Sequence, residues 1–351
     1  MPPDVSAVVV THGSPDDAIA CVESLRDALK AETIRGEILL VDCGSGADAV
    51  RRLESAGADL FLPIAENRGY SGGVNAGLAR ATSHRLLLSN ADVVFRPGAI
   101  APLLAAIDDA RVGAAAPLAF WDSQDRLRLP AGWAPGFRSD LAQLSAGRDP
   151  SRDGRRFAAS ARETVRLWQE GGAARHLSGA VLAVRRDVFD RAGRFDERFP
   201  FEYEETEWED RVRACGYSLA FVPAARVRHL WGSSAAQEGE TASRRARSRR
   251  LYRNRRYGPI GRAVLERAVR RPRAELPPAI ARPRLSARDG AWVAVSTNAS
   301  VLPFAGAPLD SDFELPGEVA ARLPPVPVYL RSFRASDGEE LETFVWRKDR
   351  E

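Results

Sequence analysis

The chain has 351 residues, 44% of them hydrophobic and 28% charged, with 51 Lys and Arg against 47 Asp and Glu and a net charge of +4. That is globular composition, enough for one large domain and an appendage, and it excludes a disordered or low-complexity chain. Three cysteines (Cys21, Cys43, Cys215), odd in number and without CxxC spacing, argue against a disulfide framework or a zinc site. No stretch approaches the roughly 20 apolar residues that span a bilayer. The N-terminus has no basic region followed by a long apolar run, so no signal peptide and a reducing, cytoplasmic setting are expected.

In chain order, Val5–Val10 reads as a buried strand, and Ser14-Pro15-Asp16 opens a helix over Ala18–Leu29. Glu37–Val41 and Leu60–Ile64 read as strands, with a helix over Ala49–Ala56 between them. Ser71–Ala81 is helical in pattern, Arg85–Leu88 a strand, Pro97–Asp108 a helix and Val112–Leu118 a strand. Alternating strands and helices predict an α/β domain with a mainly parallel sheet, in which ligands bind beyond the carboxyl ends of the strands. Thr11, Asp42, Glu66-Asn67 and Asn90-Ala91-Asp92 each follow a strand.

Phe120–Arg175, rich in Pro, Gly and Trp, breaks this rhythm and reads as a hairpin and mobile loop ending in a helix around Ala161–Gln169. Leu177–Ser233 then carries a small-residue turn, a strand, a carboxylate cluster opening a helix, another strand and a lone His229. Arg crowds Arg244–Arg256, and Pro272–Pro283 reads as a linker. Trp292–Ser296, Ser300–Phe304, Val326–Phe333 and Glu342–Trp346 are strand-like. The expected division is an α/β domain over 1–262 with a variable loop region at 120–175, a linker over 263–283 and a small β-rich module over 284–351.

Three stretches carry chemistry. Asp42 ends a strand before Cys43-Gly44-Ser45-Gly46, a position where an Asp is as often a turn residue or helix cap. Glu66-Asn67-Arg68-Gly69-Tyr70-Ser71-Gly72-Gly73-Val74-Asn75 lets backbone approach a ligand and opens a helix with free N–H groups, without the Gly-Lys-Ser/Thr of a Walker loop. Phe195-Asp196-Glu197 precedes Glu204-Glu205-Thr206-Glu207-Trp208, and Glu207 and Arg211 are spaced to pair on one helix face.

Together these stretches resemble family 2 glycosyltransferases of the GT-A fold, in particular the bacterial rhamnosyltransferase-like branch, over roughly residues 5–260. The resemblance implies an inverting transfer of a sugar, with dTDP-rhamnose or a UDP-sugar the favoured donor, to an acceptor hydroxyl in cell-surface glycan synthesis. It implies donor contacts from Thr11, Asp42, Glu66, Asn67, Gly69, Gly73, Asn75, Asn90 and Asp92. Asp92, with the late His229, would hold Mg²⁺ or Mn²⁺ against the donor diphosphate. Here Asn90 stands where many relatives have a second acid. Glu205 is the expected general base, with Glu204 able to share the role, in place of the Asp common in the family. Trp208 and Glu207 are the expected acceptor contacts, although the Glu207–Arg211 spacing by itself predicts a structural pair.

The acceptor is expected to be a glycan, a lipid-linked molecule or a small hydroxyl compound; the Arg run reads either as a peripheral contact to anionic membrane or as a solvated helix face. A sugar nucleotidyltransferase is the competing enzyme, but Thr11-His12-Gly13-Ser14-Pro15 lacks its basic phosphate loop. A non-catalytic nucleotide-sugar or glycan-binding protein is the other alternative. No motif supports nucleic-acid binding.

Overall fold

In the computed structural model, which describes residues 2–132, 136–144, 150–230, 238–268, 277–323 and 325–348, the first strands are those the apolar runs predict. β1 (Val5–Thr11), β2 (Gly36–Cys43), β3 (Leu60–Ile64) and β4 (Arg85–Asn90) pair in parallel in the order β3-β2-β1-β4. β1 is buried along its whole length, which is why it reads as an unbroken run rather than an alternation. The crossovers are α1 (Pro15–Ala31), α2 (Ala47–Leu53) and α3 (Gly69–Leu78). α1 buries Ala18, Cys21, Val22, Leu25, Ala28 and Leu29, a helical stripe that joins Val5, Ala7, Val9, Ile38 and Leu40 in one core.

Beyond β4 the sheet becomes mixed. β5 (Val93–Phe95), β6 (Val112–Phe120), β7 (Gly172–Ala174), β8 (Val181–Arg185) and β9 (Ser218–His229) extend the sheet as β4-β8-β6-β9-β5, with β7 also on β9. β8 is antiparallel to both β4 and β6, and β9 is antiparallel to β5 and β7. The three residues of β5 fall below what periodicity can find. α4 (Ala101–Asp108) starts later than expected because Pro97 and Gly98, the latter at φ +83°, form a turn. α7 (Arg186–Ala192) and α8 (Glu204–Ala214) fill the chain between β8 and β9.

Two compact units result. The first comprises Met1–Ala119, Gly171–Leu230 and Ala236–Tyr252; the second comprises Phe120–Glu170, Trp231–Ala235 and Arg253–Glu351. This division differs from the sequence expectation. Phe120–Glu170, expected as a variable loop of the nucleotide-sugar domain, is core of the second unit. Its α5 (Phe137–Leu144) and α6 (Pro150–Glu170) precede the C-terminal strands. Those strands form the sheet β10-β16-β15-β12-β13, made of β10 (Ala279–Ile280), β12 (Ala291–Ser296), β13 (Ala305–Pro308), β15 (Pro327–Arg334) and β16 (Glu340–Arg347). The pair β11 (Arg284–Leu285) and β14 (Phe313–Glu314) and the short α10 (Gly317–Arg322) complete the unit.

Packing explains the regrouping. Phe157 of α6 meets Phe333 edge-on at 5.4 Å, and Trp168 stacks on Trp292 at 5.4 Å while its Nε1 donates to the Leu129 carbonyl at 2.7 Å. Arg128 and Gly306 exchange backbone hydrogen bonds of 2.8 Å each. Phe157, Ala161, Val165 and Trp168 form one buried stripe, of which the polar first half of the helix hides the beginning. Ser300–Phe304 is not a strand; the pairing with β12 starts at Ala305. Most of the expected 263–283 linker lies outside the described residues or in α9 (Glu238–Ala268), which is broken at Gly258 (φ +66°) before Pro259.

Candidate active site

Register aligns the donor-side residues at the carboxyl ends of three adjacent strands. Thr11 sits opposite Asp42, and Val10 opposite Asn90. The Thr11 hydroxyl is buried and finds no hydrogen-bond partner among the described residues, an orphan that a ligand would satisfy. The buried Asp42 carboxylate accepts from the Ser45 N–H at 3.1 Å and from the Ser45 hydroxyl. It thus closes the Cys43-Gly44 turn and retains lone pairs for a base N–H. Gly44 at φ +74° lets this turn meet the Glu66-Asn67 backbone; a Cβ there would lie 2.8 Å from the Asn67 nitrogen.

The Gly-rich stretch separates into two jobs. Asn67 Oδ1 accepts from the Gly69 N–H at 2.9 Å, bending the loop into α3, and Gly69 at φ +69° passes close to the Pro200 carbonyl. Asn67, Arg68 and Gly69 line a polar cavity of about 330 Å³ with Glu197, Pro200, Ser243, Arg244 and Arg247. Gly73, expected to touch donor, instead faces the sheet: a Cβ would lie 2.5 Å from Val10 Cγ1 and 2.8 Å from Cys43 Sγ, so its role is helix-on-sheet packing. Asn75 is likewise structural on its donor side, with Nδ2 bonded to the Phe195 carbonyl at 2.9 Å and to Glu197 at 3.0 Å. Glu197 also pairs with Arg68. Glu66 stands exposed at the loop's edge.

Asn90 and Asp92 end β4 and precede β5. Because Val93 pairs with His229 across β5 and β9, His229 Nε2 comes within 3.2 Å of Asp92 Oδ1. That spacing is a hydrogen bond when Nε2 carries a proton. It is equally close to the roughly 3 Å between neighbouring ligands of an octahedral cation at about 2.1 Å. Among the described residues no group of three or more His, Cys, Asp or Glu side chains is arranged to hold a metal. Asp92 and His229 would supply two ligands to a divalent cation, its other positions left to oxygens of a bound donor and water.

The carboxylates open α8. Glu202 (φ +60°) and Tyr203 (φ +70°) are both left-handed, a strained approach that fixes where the first turn points. Glu204 is buried, its Oε2 without a hydrogen-bond partner among the described residues. Burial, and then the charge of Glu205, hold its pKa well above the ordinary range. Glu205 is partly exposed, its side chain laid against Gly179, where a Cβ would come within 3.1 Å of Glu205 Cγ. Burial pushes Glu205 up to about 7 against the opposing pull of His176. Of the two, Glu205 has the access a base requires.

Of the two residues expected as acceptor contacts, one is buried in the core and the other is held in an ion pair. Trp208 is 0% exposed, stacked on Phe189 at 4.9 Å, with Nε1 donating to the Gly193 carbonyl at 2.9 Å. It fills the place of an aliphatic core residue. Glu207 pairs with Arg211 at 3.0 Å, and Arg211 also donates to the Ala192 and Arg194 carbonyls, so this pair closes α8 onto the turn after α7.

Spacing gave no hint of the remaining polar residues. His176 and Glu209 form a buried pair of 2.6 Å, and the Tyr70 hydroxyl donates to the Gly179 carbonyl at 3.1 Å. The only signal was the small-residue turn itself. The Arg-rich helix α9 docks beside α8: the Ser248 hydroxyl accepts from the Phe201 N–H at 3.2 Å, Arg245 pairs with Glu202 at 2.8 Å, and the Tyr252 hydroxyl bonds Asp210 at 2.9 Å.

Polar residues gathered at the carboxyl ends of the parallel strands, a carboxylate–imidazole pair and an acidic helix start agree with the GT-A sugar-transfer domain that the sequence resembles. Residues 6–166 match the family described as Glycosyl transferase family 2. An N-acetylglucosaminyl-diphospho-decaprenol L-rhamnosyltransferase, found in two strains of Mycobacterium tuberculosis, is 30% identical over 247 residues, covering 64% of this chain and 76% of its own. Among solved structures, GalNAc-T7 with UDP, GalNAc and Mn²⁺ has a TM-score of 0.46 at 20% identity over 66% of this chain and 46% of that one. The mannosyltransferase PcManGT of Pyrobaculum calidifontis, with GDP-Man and Mn²⁺, has a TM-score of 0.42 at 17% identity over 76% and 74%. The chain belongs to glycosyltransferase family 2, and its activity is glycosyl transfer.

Proposed function

We propose that this chain is a metal-dependent, inverting glycosyltransferase that moves a sugar, rhamnose from dTDP-rhamnose foremost and otherwise a sugar from a UDP donor, to a hydroxyl of a lipid-diphosphate-linked glycan. The carrying observation is the partly exposed Glu205, set by the Glu202–Tyr203 turn and backed by Gly179. The rhamnosyltransferase at 30% identity supports the donor and acceptor classes.

Thr11 and Asp42 would hold the nucleoside, and Asn67 and Gly69 the backbone edge of the diphosphate. Asp92 and His229 would hold Mg²⁺ or Mn²⁺, with Asn90 acting through water. When bound, the cation offsets charge on the departing diphosphate. Glu205 takes the proton of the acceptor hydroxyl as that oxygen bonds to the anomeric carbon. The bond from that carbon to the phosphate oxygen breaks, and its electron pair leaves on the nucleoside diphosphate. A single displacement inverts the anomeric centre.

Arg244 and Arg247, lining the cavity beside Asn67, suit an anionic acceptor or membrane surface. No helix among the described residues is long and apolar enough to cross a membrane. Peripheral contact is therefore the form proposed, at the inner face.

The test is incubation of the purified protein with dTDP-rhamnose and UDP-sugars, Mg²⁺ or Mn²⁺, and a short-chain lipid diphosphate bearing N-acetylglucosamine. Release of nucleotide with formation of a glycosylated lipid supports the reading. Release of pyrophosphate from a sugar phosphate and nucleoside triphosphate would favour the nucleotidyltransferase alternative; tight donor binding without turnover would favour a binding protein.

A further inference from the structure

His176 belongs to none of the contacts assigned above. It begins the turn from His176 to Ala180 that leads into β8. Its Nδ1 lies 2.6 Å from Glu209 Oε2 and 2.9 Å from the Leu177 carbonyl oxygen. The two side chains are 4% and 0% exposed. Both Glu209 oxygens also accept from the Leu177 N–H at 3.2 Å, so the carboxylate is an acceptor and Nδ1 carries a proton. The other ring nitrogen, Nε2, is buried without a hydrogen-bond partner among the described residues.

A buried ion pair is a poor way to gain stability, because desolvating both charges offsets most of their attraction. An unpartnered buried ring nitrogen adds to that cost. The arrangement gains meaning from its neighbour. Glu205 is one helical turn before Glu209, on the same side of α8. Its side chain also packs on Gly179, within the turn that carries His176. The imidazole and the Glu205 carboxylate thus share the space between α8 and this turn.

We infer that His176, oriented by Glu209, is a positioning residue for the proton-accepting carboxylate of Glu205, holding it in place and ionised while the acceptor binds. The inference rests on the proposed role of Glu205. The groups around it set the charge balance: Glu202, Glu204 and Glu209 crowd Glu205 with like charge, Tyr70 on α3 is neutral and held so by burial, and Arg213 acts on Glu209. His176 is the cation acting on Glu205 within this set. Burial alone would strip its proton, but Glu209, and more weakly Glu205, hold it on up to about 9. Without such a cation, an acceptor sealing the site from water would leave Glu205 protonated and unable to act as base.

The test is an NMR titration of the His176 imidazole in the full chain, for wild type and Glu205→Gln. The sequence has four histidines, so its resonance is assigned by its loss in His176→Gln or, if that variant does not fold, by elimination with His12→Gln, His84→Gln and His229→Gln. The expected result is a midpoint well above the free value of roughly 6.5, falling by about half a pH unit or more in Glu205→Gln. A midpoint unchanged by Glu205→Gln overturns the inference and leaves His176 a partner of Glu209 alone. If Glu205→Gln does not fold, the pH profile of dTDP release from dTDP-rhamnose decides instead. In His176→Gln the acidic limb of kcat/KM should move up by about one unit, roughly tenfold lower activity below it, with the alkaline plateau kept. A uniform loss with the limb in place overturns the inference. The titration needs no turnover, so it stands apart from the choice of donor and acceptor.

Discussion

Asp92 Oδ1 and His229 Nε2 lie 3.2 Å apart because β5 and β9 pair with Val93 opposite His229 and the Leu230 N–H bonded to the Asp92 carbonyl at 2.8 Å. The spacing is set by sheet register rather than by a loop. Asp92→Ala should therefore lower donor affinity in Mn²⁺ by about tenfold or more and make it insensitive to chelator, with a smaller loss in His229→Ala. Calorimetric titration of donor with and without EDTA reads this. Equal affinity under all four conditions of wild type and Asp92→Ala would refute the metal role.

Trp208 is core. Trp208→Ala should destabilise the protein by about 3–5 kcal/mol, as large aromatic truncations do. Trp208→Phe should keep the stack on Phe189 and lose mainly the bond to Gly193, about 1 kcal/mol. Urea unfolding measures both. A stable Trp208→Ala protein whose acceptor KM alone rises would restore the acceptor role.

Gly73 is expected to act through packing. Gly73→Ala places a methyl against Val10 and Cys43 and should cost about 1–3 kcal/mol. Donor affinity of the folded fraction should stay near wild type. A variant of normal stability with lost donor binding would contradict this.

Stability and activity should run in opposite directions with pH. His176 is raised to about 9, so its stabilisation is full below its unfolded value near 6.5 and is lost as pH rises through 9. Glu205 is raised to about 7, so its neutral form is favoured and its contribution falls between its unfolded value near 4.5 and about 7. The urea midpoint should be lower at pH 9.5 than at pH 6. Turnover should instead fall as pH drops below about 7, because the base must be ionised. A stability that rises between pH 6 and 9.5 would contradict the buried pair.

Much of this was legible in sequence. The parallel strands showed as apolar runs, and Thr11, Asp42 and Asn90 could be placed at their ends because a parallel α/β sheet puts its ligands there. The meeting of Asp92 with His229 depended on the resemblance, since a three-residue strand leaves no period to read. Phe120–Glu170 was assigned to the first domain because its Pro and Gly interrupt any period, while the partners of Phe157 and Trp168, Phe333 and Trp292, lie more than a hundred residues further along the chain. His176 was passed over because a single imidazole has no pattern; its partner Glu209 read as one more acid in a charged helix. Trp208 and Gly73 kept motif positions whose local job is packing.

The central claim is that Glu205 takes the acceptor proton. Glu205→Gln removes the charge and keeps the side-chain volume. The measurement is sugar transfer by wild type and Glu205→Gln at saturating donor, with donor affinity measured in the same buffer. The account predicts unchanged donor affinity and a kcat lower by about 10²-fold or more. Near-normal kcat in Glu205→Gln, with Glu204→Gln the inactive variant or neither impaired, would contradict it.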